Sequence, residues 1–227
     1  MTKISNHSEA KASGLSVELR VADRDVQVAF KVPGGYTLGL VGPNGAGKTT
    51  TLLALAGWLV PDTGSARLDG TVLFDCPTPD EPPTTWLPAA DRGIGHLAQE
   101  PRLFPHLSAR DNIMFGMPRS GIRGRQARRD AAETWLDRVG LAGYGPRKPH
   151  QLSGGQAQRV AIARVLASNP RLVLLDEPLA ALDRKAAPAI RDLLGEVLQQ
   201  HTVVLVSHHA ADIDALADTV HPIQPLL

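Results

Sequence analysis

The stretch from Tyr36 to Thr50 constrains this chain more than any other. YTLGLV reads as an apolar strand, and it runs without interruption into GPNGAGKTT. Apolar residues then recur at helical spacing from Lys48 to Leu59, with Gly57 and Pro61 near the end of the pattern. Gly42, Pro43, Asn44, Gly45, Ala46, Gly47, Lys48 and Thr49 match G-x-x-x-x-G-K-[ST], with Thr50 beside them. Strand before and helix after is the context this pattern requires. The glycines let backbone N–H groups turn inward around phosphate oxygens, and the helix N-terminus adds a partial positive charge. Lys48 is then placed to reach β- and γ-phosphates, and Thr49 to ligate Mg²⁺.

The rest of the chain supplies a sheet for this loop to sit on. LSVELRV (15–21) and VQVAFKV (26–32) alternate like strands, with a turn over 22–25, and predict an antiparallel hairpin. GIGHLAQ (93–99) predicts a short strand. RLVLLDE (171–177) is a continuous apolar strand that ends in two acids, the signature of burial on both faces in a parallel sheet. A helix over 184–199 and the strand TVVLVS (202–207) follow. Residues 100–167 read as mainly helical, with breaks at Pro118, Gly121 and 144–149, and the proline-rich 77–88 as an exposed connection. The order predicts an α/β fold: a phosphate-loop core, an antiparallel β subdomain and an inserted helical subdomain.

Strand ends carry the remaining chemistry. Carboxylates at the C-terminal edge of a parallel sheet face the ligand crevice. Asp176 is suited to hold Mg²⁺ through water, and Glu177 to polarise an attacking water, since phosphoryl transfer needs positioning and charge. Gln99 ends another strand, where its amide oxygen can ligate the metal or orient water. His208 follows VVLVS and can contact a γ-phosphate; His209 is adjacent, and spacing alone does not separate the two. Other chemistries find no support: Cys76 has no partners for a metal site, and Ser207 beside His208 lacks a G-x-S-x-G elbow. Five arginines between Arg119 and Arg129 fit either a solvated helix face or contact with a partner near a membrane surface.

Composition narrows the setting. A net charge of +1 over 227 residues argues against a dedicated nucleic-acid binder. The single cysteine rules out an internal disulfide and fits a reducing compartment. The polar segment 1–14 has no apolar core and is expected to be a disordered tail rather than a secretion signal, leaving 15–227 as one domain. No apolar run approaches the ~20 residues that span a bilayer, so a membrane role has to come through a partner.

The phosphate loop, Gln99, LSGGQ (152–156), LLDEP (174–178), ALD (181–183) and a late histidine together resemble the nucleotide-binding subunit of ATP-binding cassette (ABC) transporters. The resemblance covers about Leu15 to Pro222, and LSGGQ at this distance before LLDEP is its specific part. It implies an ATPase that uses ATP and Mg²⁺. It further implies that two copies pack head to tail, the LSGGQ of one closing over ATP held by the other's phosphate loop. Ser153, Gly154, Gly155 and Gln156 would then contact the partner's nucleotide, with Asp183 across the interface. A helix N-terminus at Ser153 suits a γ-phosphate. The family also implies membrane permease subunits as partners, and indirectly a solute-binding protein. Its place would be the cytoplasmic face of the membrane, with docking near RLFPHLSARDNI (102–113).

Within the family, LPAADRGIGHLAQEPRLFPHLSARDNIMFG and the segment 151–183 look most like importer ATPases for oxyanions, molybdate above all; sulfate, iron and polyamine importers look similar. An exporter with the same engine is the rival reading. A cassette acting on DNA or ribosomes would need a long coiled-coil insert or a second cassette. Two features depart from the family. No aromatic residue lies in 20–26 to stack on adenine, which leaves Arg24 as a planar substitute and weak ATP/GTP discrimination as the expectation. With 19 residues after His208, the expectation is that the C-terminal regulatory domain of many importers is missing.

Overall fold

The computed structural model describes residues 14–79, 81–118, 121–122 and 124–224. Residues 1–13 of the tail expected over 1–14 lie outside them, as do Arg119 and Arg123 of the basic stretch, whereas Gly14 belongs to the first strand. Ten strands form two five-stranded sheets. The antiparallel sheet contains β1 (Gly14–Val21), β2 (Val26–Pro33), β4 (Thr63–Leu68), β5 (Thr71–Cys76) and β6 (Thr85–Trp86), in the order β2-β1-β4-β5-β6. The parallel sheet contains β3 (Thr37–Val41), β7 (Ile94–Leu97), β8 (Leu172–Asp176), β9 (Thr202–Val206) and β10 (Thr219–Pro222), in the order β10-β3-β9-β8-β7. Six helices complete the described fold: α1 (Lys48–Ala56), α2 (Ala109–Gly116), α3 (Arg125–Arg138), α4 (Gly154–Ala167), α5 (Ala186–Leu198) and α6 (Ala210–Leu216). None of them is long and apolar enough to cross a membrane.

The first hairpin forms where its alternation placed it, paired from Gly14↔Pro33 to Val21↔Val26. A second hairpin, β4 to β5, was not among the sequence expectations. It turns at Asp69 and Gly70, whose φ angles of 48° and 78° are both left-handed, as the tight turns that match strand twist require. The proline-rich connection is irregular except for β6, which pairs with β5. The 100–167 region contains the α-helices α2, α3 and α4, and the expected breaks at Pro118, Gly121 and 144–149 fall between them.

Strands β8 and β9 are buried along their whole length. Alternation then splits the core in two. Leu172, Leu174, Val204 and Val206 pack with α1 and the antiparallel sheet. Val173, Leu175, Val203 and Leu205 pack with the helices of the insert. Each such side chain contributes ~1.5–3 kcal/mol by leaving water, so the parallel sheet welds both subdomains to one floor.

A wholly buried cation, Arg92, fixes α1 to that floor. Its Nη1 donates to the carbonyls of Ala54 (2.8 Å) and Leu55 (2.7 Å), and its Nε to Leu87 (2.7 Å). Ala54 and Leu55 lie in the last turn of α1, where carbonyls lack intrahelical partners and a cation complements the helix dipole. The guanidinium lies 4.4 Å from the Trp86 ring centroid, and burial lowers its pKa to about 10. Ala54 O also accepts from the Gly57 N–H (3.1 Å), so Arg92→Met strands the Leu55 and Leu87 carbonyls, at ~1–3 kcal/mol each. We expect chemical denaturation to show a loss of at least about 2 kcal/mol. A loss below about 1 kcal/mol would mean the carbonyls find other partners.

Candidate functional site

The C-terminal edge of β3, β8 and β9 opens into a cleft of about 510 Å³. The phosphate loop forms one wall. Gly47 has φ 93°, and a Cβ there would fall on the Val26 side chain, so only glycine lets the loop pass beneath the hairpin. Asn44, Gly45, Gly47, Lys48, Thr49 and Thr50 line the cleft. The other three loop residues serve from behind: Ala46 is buried beneath the turn, and the Lys48 ammonium donates to the carbonyls of Gly42 (2.7 Å) and Pro43 (2.8 Å). Burial lowers the Lys48 pKa, opposed by Glu177 and Asp176. Arg24, from the β1–β2 turn, also lines the cleft, with Nη1 3.4 Å from Thr50 Oγ1. No Phe, Tyr or Trp is among the lining residues.

The opposite wall carries the acids. Asp176 is the last residue of β8, and its Oδ2 accepts a hydrogen bond from Thr49 Oγ1 at 2.9 Å. Burial raises its pKa, opposed by the Thr49 hydrogen bond and Lys48. Glu177 follows in a left-handed conformation, φ 50°, with its N–H donating to Val206 O at 2.9 Å. A non-glycine residue held there stores ~1–3 kcal/mol of strain, a recurrent property of functional positions. Its Oε1 is buried without a hydrogen-bond partner and lies 3.5 Å from His208 Nε2. Burial raises the Glu177 pKa, opposed chiefly by His208. Gln99 and His208 both line the cleft. His209 instead precedes α6 as its N-cap residue and is not among the lining residues.

Thr49, Gln99 and Asp176 thus present hydroxyl, amide and carboxylate oxygens to one volume. That donor set fits Mg²⁺, which prefers oxygen, takes one or two carboxylates and shares phosphate oxygens. The whole arrangement is equipped to hold a polyphosphate and deliver water to it.

Four expected contact residues and Asp183 do not line this cleft. Ser153 caps α4: its Oγ accepts from Gln156 N–H (3.2 Å), and Gln156 Oε1 accepts from Ser153 N–H (2.9 Å). A Cβ at Gly154 would meet open space, and one at Gly155 would lie 3.0 Å from Ala181 O. Asp183 is exposed, and its Oδ1 accepts from the N–H groups of Ala186 (2.8 Å) and Lys185 (2.9 Å), which lower its pKa.

A second cleft, about 520 Å³, lies beside edge strand β7 and is lined in part by Trp58, His96, Arg102, Phe104 and Phe115. Only the first part of the expected docking segment 102–113 faces it. Asn112 and Ile113 are buried instead, with Asn112 Nδ2 donating to the carbonyls of Phe104, Leu107 and Ser108.

Fold and cleft together define a phosphate-loop nucleotide-binding domain of the α/β class. Residues 26–180 match the family model described as ABC transporter, and the chain belongs to that family. It is 46% identical over 213 residues to the molybdenum import ATP-binding protein ModC of Mycobacterium tuberculosis (strain CDC 1551 / Oshkosh), covering 92% of this chain and 56% of that protein. It is 42% identical over 182 residues to the Fe(3+) ions import ATP-binding protein FbpC of Pseudomonas fluorescens (strain Pf0-1), covering 79% of this chain and 49% of that one. The chain spans about half the length of these curated relatives. Among solved structures it resembles a dimeric post-hydrolysis state of the ATP-binding cassette MJ0796 bound to ADP and Pi. The TM-score is 0.77 and the identity 27%, over 93% of this chain and 95% of that one.

The second cleft makes its own pH dependence. His96 Nε2 is enclosed without a partner, and burial, with Arg102 nearby, lowers its pKa to about 4 from an ordinary 6.5. A histidine with a depressed folded pKa contributes stability that is complete above pH 6.5 and is lost as pH falls toward 4. Urea denaturation should show the chain losing about 1–2 kcal/mol more between pH 7.5 and pH 5 than its His96→Leu variant. Equal losses would show that the ring is solvated.

Proposed function

We propose that this chain is the ATP-hydrolysing subunit of an importer, working as a head-to-tail pair, and that the imported solute is molybdate or a related oxyanion. One observation carries the catalytic part: a strained, buried Glu177 with an unpartnered carboxylate oxygen beside His208, across the cleft from a phosphate loop. Lys48 and the loop N–H groups would hold the β- and γ-phosphates. Glu177 would orient the attacking water, and His208 would contact the γ-phosphate. Thr49, Gln99 and Asp176 would hold Mg²⁺, which supplies neutralisation of the developing phosphate charge. With no Phe, Tyr or Trp in the lining and His208 assigned to the γ-phosphate, the planar Arg24 guanidinium is the group left to stack on the base.

The pairing rests on what the cleft lacks. Ser153, Gly154, Gly155, Gln156 and Asp183 lie away from this chain's own phosphate loop, and MJ0796 was solved as a dimer with ADP and Pi. The second cleft, with its exposed Trp58 and Phe115, would receive a permease subunit at the cytoplasmic face of the membrane. A solute-binding protein would complete the importer. The names of the similar import proteins support molybdate first and iron next. Deleting the gene should abolish molybdate uptake at scarce molybdate and leave iron uptake intact. The reverse pattern would transfer the assignment to iron.

The shared site has a direct test. One protomer carries Lys48→Ala and its partner Gly155→Asp, both with Glu177→Gln to stop hydrolysis while leaving binding. A head-to-tail heterodimer contains one doubly broken site and one intact site. The mixture should trap roughly one ATP per heterodimer, far more than either variant alone. A mixture that behaves as the average of its components would sink the shared site.

A further inference from the structure

Between the cleft and α5 runs a buried polar chain to which neither the family match nor the proposed mechanism assigns a role. Arg191, on α5, donates from Nε (2.9 Å) and Nη2 (2.7 Å) to Oδ1 of Asp212. Asp212, in the first turn of α6, is 1% exposed. Its Oδ2 accepts from Ser207 Oγ at 3.0 Å, and Ser207 Oγ accepts from the His209 N–H at 3.1 Å. His208 lies between these two anchored residues, and its ring is half exposed in the cleft, with Nε2 3.5 Å from Glu177. Its backbone is therefore pinned on both sides by one network, while its side chain remains free to meet a ligand.

The other end of the network reaches the surface expected to face a second copy. Helix α5 begins at Ala186, and the Asp183 carboxylate holds the N–H groups of Lys185 and Ala186 at its start. Arg191 lies five residues into the helix from Ala186, ~7.5 Å at 1.5 Å rise per residue. Both guanidinium N–H groups converge on Oδ1, and Ser207 Oγ holds Oδ2, so the carboxylate is fixed through both of its oxygens and joins α5 to the residue before His208. Burial of Asp212 makes the linkage stiff, because breaking a buried pair leaves an uncompensated charge.

We propose that Arg191, Asp212 and Ser207 are positioning residues that couple the Asp183 turn to His208, so that docking of a second copy sets the histidine against Glu177. The proposal rests on the ATPase reading above, and none of the three residues need touch nucleotide. It separates placement of the histidine from binding of the phosphates.

The test uses the full chain and MgATP. Ser207→Ala removes the hydroxyl link without introducing bulk; Ser207→Thr keeps it. Arg191→Gln breaks the other end, and Arg191→Gln/Asp212→Asn replaces the ion pair by a neutral pair as a control for folding. Ser207→Ala and Arg191→Gln should lower kcat at least about tenfold with KM within about twofold, while Ser207→Thr retains activity. Adding His208→Ala to Ser207→Ala should cost nothing beyond His208→Ala alone, because both act through one ring. Wild-type rates in Ser207→Ala and Arg191→Gln, or losses additive with His208→Ala, would overturn the coupling while the ATPase reading stands. If His208→Ala itself hydrolyses like wild type, the role of the histidine falls, and the network's role with it.

Discussion

The organisation of the molecule depends on one constraint: a strand buried on both faces must end in two acids. β8 is closed to solvent along its length, and its last residue and the next are Asp176 and Glu177. Burial raises both carboxyl pKa values and lowers that of Lys48 across the cleft, while each charge partly supports its opposite. The register Asp176↔Val206 and the Glu177 N–H on Val206 O make the chain leave the sheet with a positive φ. The glutamate is therefore held at the edge by backbone bonding, and its carboxylate oxygen faces the cleft unpaired. A dry, preset charge of this kind costs stability and is worth most where charge develops during reaction.

Helix α1 is held by that sheet at its first turn and by the antiparallel subdomain at its last. Thr49 joins its first turn to Asp176, and Arg92 closes its last turn against the antiparallel subdomain. The dipole of the helix is thus complemented at its C-terminus, and its N-terminus is left for anions. Because Arg92 also stacks on Trp86, the phosphate loop inherits its position from both sheets. The helical insert touches the same floor through the opposite faces of β8 and β9, so each subdomain is packed against the site by different side chains of the same strands.

Much of this was legible in the sequence, for identifiable reasons. The phosphate loop, β8 and β9 follow from a spaced glycine pattern and from continuous apolar runs that only a parallel sheet uses. The β4–β5 hairpin was equally legible and was missed: SARLDGTVLF carries the alternation and the Asp-Gly pair of a tight turn. β10 leaves no such trace, because its four residues are mostly exposed and pair only by backbone with β3. Geometry was needed to separate His208 from His209, since both follow the same strand and only one lines the cleft. Arg92 looks in sequence like any arginine before a short strand. Its role depends on α1 carbonyls more than thirty residues away. The Arg191–Asp212–Ser207 chain was invisible for the same reason: its partners come from three elements.

The glycines of LSGGQ are best understood by what is missing around them. The first turn of α4 already has its capping box closed between Ser153 and Gln156, so local structure asks for nothing more there. Gly154 nonetheless sits in that turn with open space where a side chain would go and an ordinary backbone angle. Glycine at a helical position gives up ~0.5–1 kcal/mol relative to alanine, and no contact among the described residues recovers it. In the proposed pairing the recovery comes from the second copy: bare N–H groups at a capped helix N-terminus approach its phosphates without a side chain in the way. Gly155 differs: a Cβ there would lie 3.0 Å from Ala181 O, two residues before Asp183, so this glycine lets the α4 N-terminus pack against that turn. The α4 N-terminus and the Asp183 turn form one continuous surface, and a partner that presses on either presses on both. That continuity is what would let binding at the shared nucleotide reach α5, and through Arg191 the histidine of the other cleft.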